Sequence, residues 1–359
     1  MKLLKLLSGL KNIELKNFKN VNISNISLNS KELEKNGLFF AINGQNFNGD
    51  MFVGDAVNNG AVAVVCEKNL EVDVPQVVVE NVRLAMSLIS KNFFHKADEK
   101  LKIIEVVGTN GKTTTATMIY EVLKCAGKKV GLIGTNGVMI GDISLPSVLT
   151  TPDPIEMHYI FEQMVMFGIE YCVMEVSAQA MHLHKMAGVN PSMLVYTNIT
   201  PEHLDYFGSM ENYANIKINY ILSHKNANVI INSDDEYGRK LLKKIRATSY
   251  GIFNPADVFA LDISMTLTRS SFLCNAFDDV FEVNSSFVGE YNVYNMLACI
   301  SVCKLIGINT KLVQNGLLNL KKVDGRWEVF DFKNNNKVIV DYAHTPDGFE
   351  KVLNLVKML

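Results

Sequence analysis

The chain has 359 residues, 48% hydrophobic and 20% charged, which is more than one ordinary domain needs, so two or three packed units are expected. Its 35 basic and 37 acidic residues leave a formal net charge of -2, which argues against a general nucleic-acid or anionic-membrane binder, whose basic face would show in the sum. An anionic ligand must then be held by a local site, and no stretch supplies the ~18 uninterrupted apolar residues of a membrane span.

In chain order, Met1 to Leu10 reads as an amphipathic first helix, because lysines interrupt an apolar run too short and too quickly followed by polar residues for a signal peptide. Strand-like runs at Leu38 to Ile42, Val62 to Cys66 and Val77 to Val79 alternate with helical ones, giving a small α/β unit over residues 1–97. The polar stretch Lys96 to Lys102 reads as a linker into a second unit, residues 98–325.

That second unit opens on the most informative segment of the chain. Ile103, Ile104, Val106 and Val107 form a short buried strand, Gly108 and Gly111 permit a tight turn, and Thr113 to Cys125 continue as a helix. Strand, glycine loop and helix N-terminus aim backbone N–H groups at one point, where phosphate binds. Lys112 adds a point charge for β/γ-phosphates, and the Thr113 hydroxyl can join the coordination of Mg²⁺. Val106 stands where the usual phosphate-loop pattern has its first glycine, leaving Gly-x-x-Gly-Lys-Thr. The alternative is a glycine turn before an ordinary helix with Lys112 solvated.

Further runs at Val130 to Ile133, Tyr171 to Val176, Met193 to Thr197 and Asn228 to Ile231 read as buried strands with helices between the earlier ones, which predicts a largely parallel sheet covered on both faces. Glu175, at the end of one such strand, is either a Mg²⁺-holding carboxylate or a salt-bridging one. His203 follows another strand in a polar turn; imidazole is an unusual magnesium ligand and needs oxygen neighbours. Lys217, flanked by apolar residues at helical spacing, is either a snorkelling lysine or a desolvated amine neutral enough to take up CO₂ as a carbamate. Thr150 to Asp153 and Glu175 to Gln179 supply hydroxyls and amides that bind a polar substrate or cap helices.

Residues 258–288 carry more strand signals, and 291–306 read as a helix. Past Asp324 to Arg326, Trp327 to Phe332 and Lys337 to Val340 read as two strands and Phe349 to Leu359 as a helix, too little surface to stand as a domain. The six cysteines lie mostly in apolar runs without a Cys-x-x-Cys pair; buried free thiols in a reducing, cytoplasmic setting fit better than a metal site.

Taken together, Gly108-Thr-Asn-Gly-Lys-Thr113, Thr150-Thr-Pro-Asp153, Glu175-Val-Ser177, His203-Leu-Asp-Tyr206, Asn292-Val-Tyr-Asn295 and Asp341-Tyr-Ala-His-Thr-Pro-Asp347 make the whole chain resemble the Mur ligases of peptidoglycan synthesis. The last motif and Leu28-Asn-Ser30 favour the members that add the third stem-peptide residue. The resemblance implies an α/β architecture: a small N-terminal UDP-binding domain (1–97), a central parallel-sheet P-loop ATPase domain (98–325) and the start of an incomplete C-terminal Rossmann-like domain (326–359). It implies a monomeric, ATP-dependent ligase acting on UDP-N-acetylmuramoyl-L-alanyl-D-glutamate and a free amino acid, meso-diaminopimelate ahead of L-lysine, with two Mg²⁺ ions and a carbamate on Lys217.

By the same resemblance, Leu28, Ser30, Gln45, Asn46 and Phe47 hold the UDP-sugar. Thr150, Thr151, Ser177 and Lys185 bind the muramoyl peptide. Gly108, Thr109, Asn110, Gly111, Lys112, Thr113, Thr114, Asn292, Asn295, Arg326, Asp341 and His344 surround the nucleotide. Lys112, Glu175, His203 and Lys217 carry catalysis, the last three joining Thr113 around metal. Three positions depart from the pattern: Lys185 replaces an arginine, Leu149 an asparagine and Ala178 a second serine. Mur ligases also continue into an Asp-Asn-Pro-Arg motif that selects the amino acid, which this sequence does not reach; it then represents a fragment, or a binding protein without ligase activity. A folylpolyglutamate synthase uses the same chemistry, but it normally lacks the hundred residues that here precede the loop.

Overall fold

The computed structural model describes residues 1–44, 48–320, 323–333 and 336–358. The chain forms two compact units. One comprises Met1–Lys100, Pro152–Met166 and Gln179–Val189; the other comprises Leu101–Thr151, Phe167–Ala178 and Asn190–Leu359.

The first unit is built on a five-stranded sheet in the order Glu14–Lys16, Gln76–Val78, Ala61–Cys66, Gly37–Phe40, Asn25–Ser27. Only Glu14–Lys16 runs antiparallel to its neighbour. Side chains alternate across the pleat. Leu38 and Phe40 therefore enter a core with Leu3, Leu6, Val82 and Ile89, while Phe39 enters a second core with Val53, Ala56 and Val64. The helix Val82–Phe93 starts at Asn81, whose side chain accepts from Leu84 N at 2.9 Å, and the helix Pro154–Met166 packs along it.

Two expectations change here. The first helix is only Leu3–Leu6, with Gly9 at positive φ soon after. The polar stretch Lys96 to Lys102 does contain the break between the units, at Lys100–Leu101, but it is structured: Ala97–Lys100 form a 3-10 turn whose Asp98 is buried against Lys91 at 2.9 Å, and a strand begins at Lys102. Lysine and aspartate neutralise each other, so charge did not keep the segment in solvent.

The second unit carries an eleven-stranded sheet. Seven neighbouring strands are parallel, in the order Val258–Met265, Thr248–Gly251, Asn228–Asn232, Met193–Tyr196, Lys102–Val107, Tyr171–Val176, Val130–Gly134. Antiparallel strands extend both edges: Ser270–Ala276 and Asp279–Ser285 on one side, Gly137–Ile140 and Ile143–Leu145 on the other. On one face Ile104, Val106, Val173 and Val195 pack against the helices Lys112–Cys125 and Glu290–Ile306. The helix Met210–Ser223 lies over the opposite face, where Glu105 points. Cys66, Cys172, Cys274, Cys299 and Cys303 are buried free thiols, while Cys125 is exposed.

Lys102–Val107 lies between Tyr171–Val176 and Met193–Tyr196, strands that follow it in sequence but flank it on opposite sides. That reversal of strand order opens a crevice at the carboxyl ends, the usual ligand position in such sheets. Near the C-terminus, Glu328–Asp331 and Lys337–Val340 pair antiparallel, and the last helix is Pro346–Met358, starting three residues before the expected Phe349. No helix among the described residues is long and apolar enough to cross a membrane.

Candidate active site

The loop after Lys102–Val107 is shaped by what touches it. A Cβ on Gly108 would fall 1.8 Å from Thr197 Oγ1, so no side chain fits there. Gly111 has φ +85°, and a Cβ would meet Asn295 Oδ1 at 2.5 Å. The exit of the Met193–Tyr196 strand pins the loop: Thr109 N donates to Asn198 O at 2.8 Å, Asn110 N to Asn198 Oδ1 at 2.9 Å, and Thr197 Oγ1 to Asn110 O at 2.7 Å. The helix Lys112–Cys125 follows at once, with Thr113 and Thr114 buried in its first turn. Lys112 Nζ donates to Gly108 O at 3.0 Å and Thr109 O at 2.7 Å. Asn295 braces the same helix from behind, accepting from Thr115 Oγ1 at 3.1 Å and donating to Asn292 Oδ1 at 3.0 Å.

Glu175, buried at the end of Tyr171–Val176, accepts from Thr113 Oγ1 and Thr135 N, both at 2.8 Å, and from Thr135 Oγ1 at 3.2 Å. Thr135 Oγ1 also lies 3.1 Å from Thr150 Oγ1. Thr151 Oγ1 donates to Glu175 O at 3.0 Å and accepts from Ser177 N at 3.0 Å. Thr113, Glu175, Thr150, Thr151 and Ser177 thus form one hydroxyl-rich wall.

The facing wall comes from residues 200–217. Lys217, 1% exposed, directs Nζ to Tyr213 Oη at 2.5 Å and Thr109 Oγ1 at 3.3 Å. Burial holds its amine well below the usual lysine range; Lys112 pushes the same way, and Glu202 and Asp235 oppose. Desolvation also lowers Lys112, against the pull of Glu202 and Glu175. Glu202 Oε2 accepts from Tyr213 Oη at 3.1 Å, and Oε1 lies 3.0 Å from His344 Nε2 and 3.7 Å from His203 Nε2. Burial raises the Glu202 carboxyl, but Lys112, His203, His344 and Lys217 outweigh it and hold it below the ordinary range. His203 sits at φ 54°, an uncommon backbone position for a non-glycine residue in this polar turn. Arg326 reaches Thr113 Oγ1 at 3.4 Å and stacks on Tyr342.

The structure therefore gathers the loop residues with Glu175, Lys217, Thr150, Thr151, Ser177, Asn292, Asn295 and Arg326, and links His203 and His344 through Glu202. Asp341 instead ties its own segment, accepting from Trp327 N and Ala343 N, both at 2.8 Å. Leu28, Ser30 and Lys185 belong to the first unit; Lys185 pairs with Asp153 at 2.8 Å. Gln45, Asn46 and Phe47 lie outside the described residues. Sequence reasoning passed over Glu202, Tyr213 and Thr135. Glu202 had a signal, a carboxylate directly before His203 in the same turn. The oxygen donors of Thr113 and Glu175 suit a hard cation such as Mg²⁺. Among the described residues no group of three or more His, Cys, Asp or Glu is arranged to hold a metal.

Comparison with known proteins gives these features a lineage. The Mur ligase middle domain matches residues 106–303, and the catalytic domain of the Mur ligase family matches 22–110. A UDP-N-acetylmuramoyl-L-alanyl-D-glutamate--2,6-diaminopimelate ligase of Geobacillus thermodenitrificans is 38% identical over 366 residues, covering 99% of this chain and 75% of the relative. This chain belongs to the Mur ligase family. A Clostridium tetani ligase of the same description is 38% identical over 94% of this chain and 71% of its own length. A solved structure of a ligase so described superposes with TM-score 0.79 at 26% identity, over 93% of this chain and 70% of that one. The Thermotoga maritima MurF ligase in complex with ADP shares the Mur ligase fold with TM-score 0.64 at 24% identity, covering 93% of this chain and 74% of that one. The apo form of L. casei FPGS also shares the fold alone, at 16% identity over 77% of this chain and 75% of that one with TM-score 0.64.

Proposed function

We propose that this Mur ligase is an ATP-dependent, ADP-forming amide ligase that joins meso-diaminopimelate to UDP-N-acetylmuramoyl-L-alanyl-D-glutamate. The observation that carries this reading is the convergence of Lys112, Thr113 and Glu175 at the crevice, with the desolvated amine of Lys217 opposite. Kinship with ligases described by that reaction supports the choice of substrates.

The chemistry follows from the substrate. A carboxylate acylates poorly because its leaving group would be oxide. Transfer of the γ-phosphoryl group of ATP to the D-glutamyl carboxylate breaks the bond to ADP and forms an acyl phosphate. The amine then attacks the carbonyl carbon, the bond to phosphate breaks, and one amine proton leaves as the amide forms. No protein nucleophile is needed.

Lys112 and the helix N-terminus bind and orient the β/γ-phosphates, and Arg326 adds charge beside Thr113. A Mg²⁺ ion held by Thr113 and Glu175 would supply positive charge against the phosphate oxygens. The hydroxyls of Thr150, Thr151 and Ser177 orient the muramoyl peptide, and Ser30 and Leu28 serve the UDP-sugar. Lys217, as a neutral amine, takes up CO₂: a nitrogen–carbon bond forms, one proton is released, and a carbamate anion results. That anion lies within reach of Thr109 and Tyr213, adding a carboxylate-like group where the neutral amine had been.

The test incubates the purified protein with ATP, Mg²⁺, UDP-N-acetylmuramoyl-L-alanyl-D-glutamate and either meso-diaminopimelate or L-lysine. We expect phosphate release that requires both the dipeptide and meso-diaminopimelate, with the tripeptide product identified by mass. Phosphate release independent of the dipeptide, or faster product formation with L-lysine, overturns the reading.

A further inference from the structure

Glu105 is a carboxylate in the middle of a buried strand, a placement the reaction does not use. It is fully buried in Lys102–Val107, opposite Met174 of one neighbouring strand and Leu194 of the other. Its Oε2 accepts from Tyr220 Oη at 2.7 Å, and Oε1 has no hydrogen-bond partner among the described residues. Burying an incompletely satisfied carboxyl is unfavourable, so the one bond it makes calls for an explanation.

That bond ends on the helix that carries Lys217. Tyr213, Lys217 and Tyr220 lie at i, i+4 and i+7 of Met210–Ser223, on one helix face. On the other side Glu105 and Thr109 are four residues apart, one in the strand and one in the phosphate loop. Two attachments result: Tyr213 and Lys217 to Thr109, and Tyr220 to Glu105. Tyr213 also donates to Glu202, and Ala214 and Ile221 are buried on the same helix. The Tyr220–Glu105 bond adds a fixed point seven residues beyond Tyr213 that helps set the helix's rotation and its slide along the strand.

We propose that Glu105 is a positioning residue for Lys217, acting through the Tyr220 hydroxyl to hold the Lys217 amine against the phosphate loop. The inference rests on the reading of Lys217 as a reactive amine. Without the carboxyl, the Tyr220 hydroxyl is left facing the sheet without a partner, and the helix turns to return it to water. Lys217, three residues away on the same face, turns with it. Glutamine preserves the acceptor and the shape; leucine preserves only the volume.

Two measurements on the purified protein test this. Acetic anhydride labelling of Lys217, read by peptide mass, reports how well the amine is held in its buried place. Uptake of ¹³CO₂ at Lys217, read by ¹³C NMR, reports its reactivity. In Glu105→Leu and Tyr220→Phe we expect labelling of Lys217 to rise about tenfold, a factor worth roughly one pKa unit of differential stabilisation, while circular dichroism and ATP affinity stay near the parent. Glu105→Gln is expected to restore parental protection. Labelling unchanged in both disruptive variants, or a Glu105→Gln variant no better than Glu105→Leu, overturns the proposal. The parental protein is expected to take up ¹³CO₂ and the two disruptive variants several-fold less. A parental protein that takes up none removes the carbamate from Lys217, while the labelling series still decides the role of Glu105.

Discussion

Gly134 lies directly beneath Glu175: a Cβ at position 134 would come within 2.2 Å of Glu175 Oε1. The carboxylate has little freedom to move aside, because Thr113 and Thr135 hold it through three hydrogen bonds. Gly134→Ala is therefore expected to displace Glu175 from Thr113 and weaken Mg²⁺·ATP binding by about tenfold or more, the equivalent of one charge-assisted hydrogen bond at ~1.5–3 kcal/mol. Calorimetric titration with and without Mg²⁺ checks it; equal affinity for parent and variant in both conditions refutes it.

Glu105 predicts an alkaline loss of stability. Burial raises its carboxyl from the ordinary 4.5 to about 8, with Tyr220 opposing. The folded state thus holds a proton that the unfolded state releases. The stabilising contribution is complete below 4.5 and is lost as pH rises through about 8. At ~1.4 kcal/mol per unit the upper bound is a few kcal/mol. Denaturant unfolding between these pH values should show the parent losing stability relative to Glu105→Gln; parallel profiles would contradict the assignment.

Glu202 predicts the opposite limb. Its folded carboxyl titrates below the ordinary value of 4.5 because Lys112, His203, His344 and Lys217 outweigh burial. Its contribution is present above 4.5 and is lost as pH falls through the lower folded value. Glu202→Gln should flatten the acid side of the stability profile and leave the alkaline side alone, as read by thermal unfolding across an acid series.

Asn295→Ala removes the partner of two buried groups, Thr115 Oγ1 and Asn292 Oδ1. An unpaired buried polar group costs ~1–3 kcal/mol. The melting temperature is expected to fall by several degrees, with weaker nucleotide binding because the loop loses its neighbour at Gly111. An unchanged melting temperature would show that water replaces the amide.

The phosphate loop was legible because its chemistry is local: glycines, lysine and threonine act within six residues, and the apolar strand before them fixes their setting. Glu175 was legible as a candidate because a charge ending an apolar strand is conspicuous. Lys217 was left between two readings because its environment is tertiary, made by Thr109 and Tyr213 from distant segments. Glu105 was passed over inside Ile103 to Val107 because four apolar neighbours define the strand with or without it. The buried place of Asp98 was equally hidden, since its partner Lys91 is seven residues back in another element. The helix Pro154–Met166 and residues 179–189 read as ordinary parts of an alternating pattern, and nothing in that pattern says which sheet they join.

Those two segments have a consequence for the order in which the protein is made. The chain passes between its two units at residues 100–101, 151–152, 166–167, 178–179 and 189–190. Helix Val82–Phe93 leaves the ribosome long before Pro154–Met166, which packs along it, and before Gly188, whose carbonyl receives Lys91 Nζ at 2.6 Å. A nascent chain ending at Lys100 would expose the surface that later covers His158 and Phe161, both 0% exposed once folded. The N-terminal unit, first to be synthesised, completes its core only after Val189 has emerged, so its folding is tied to translation of the first five of the eleven strands in the sheet that carries the phosphate loop.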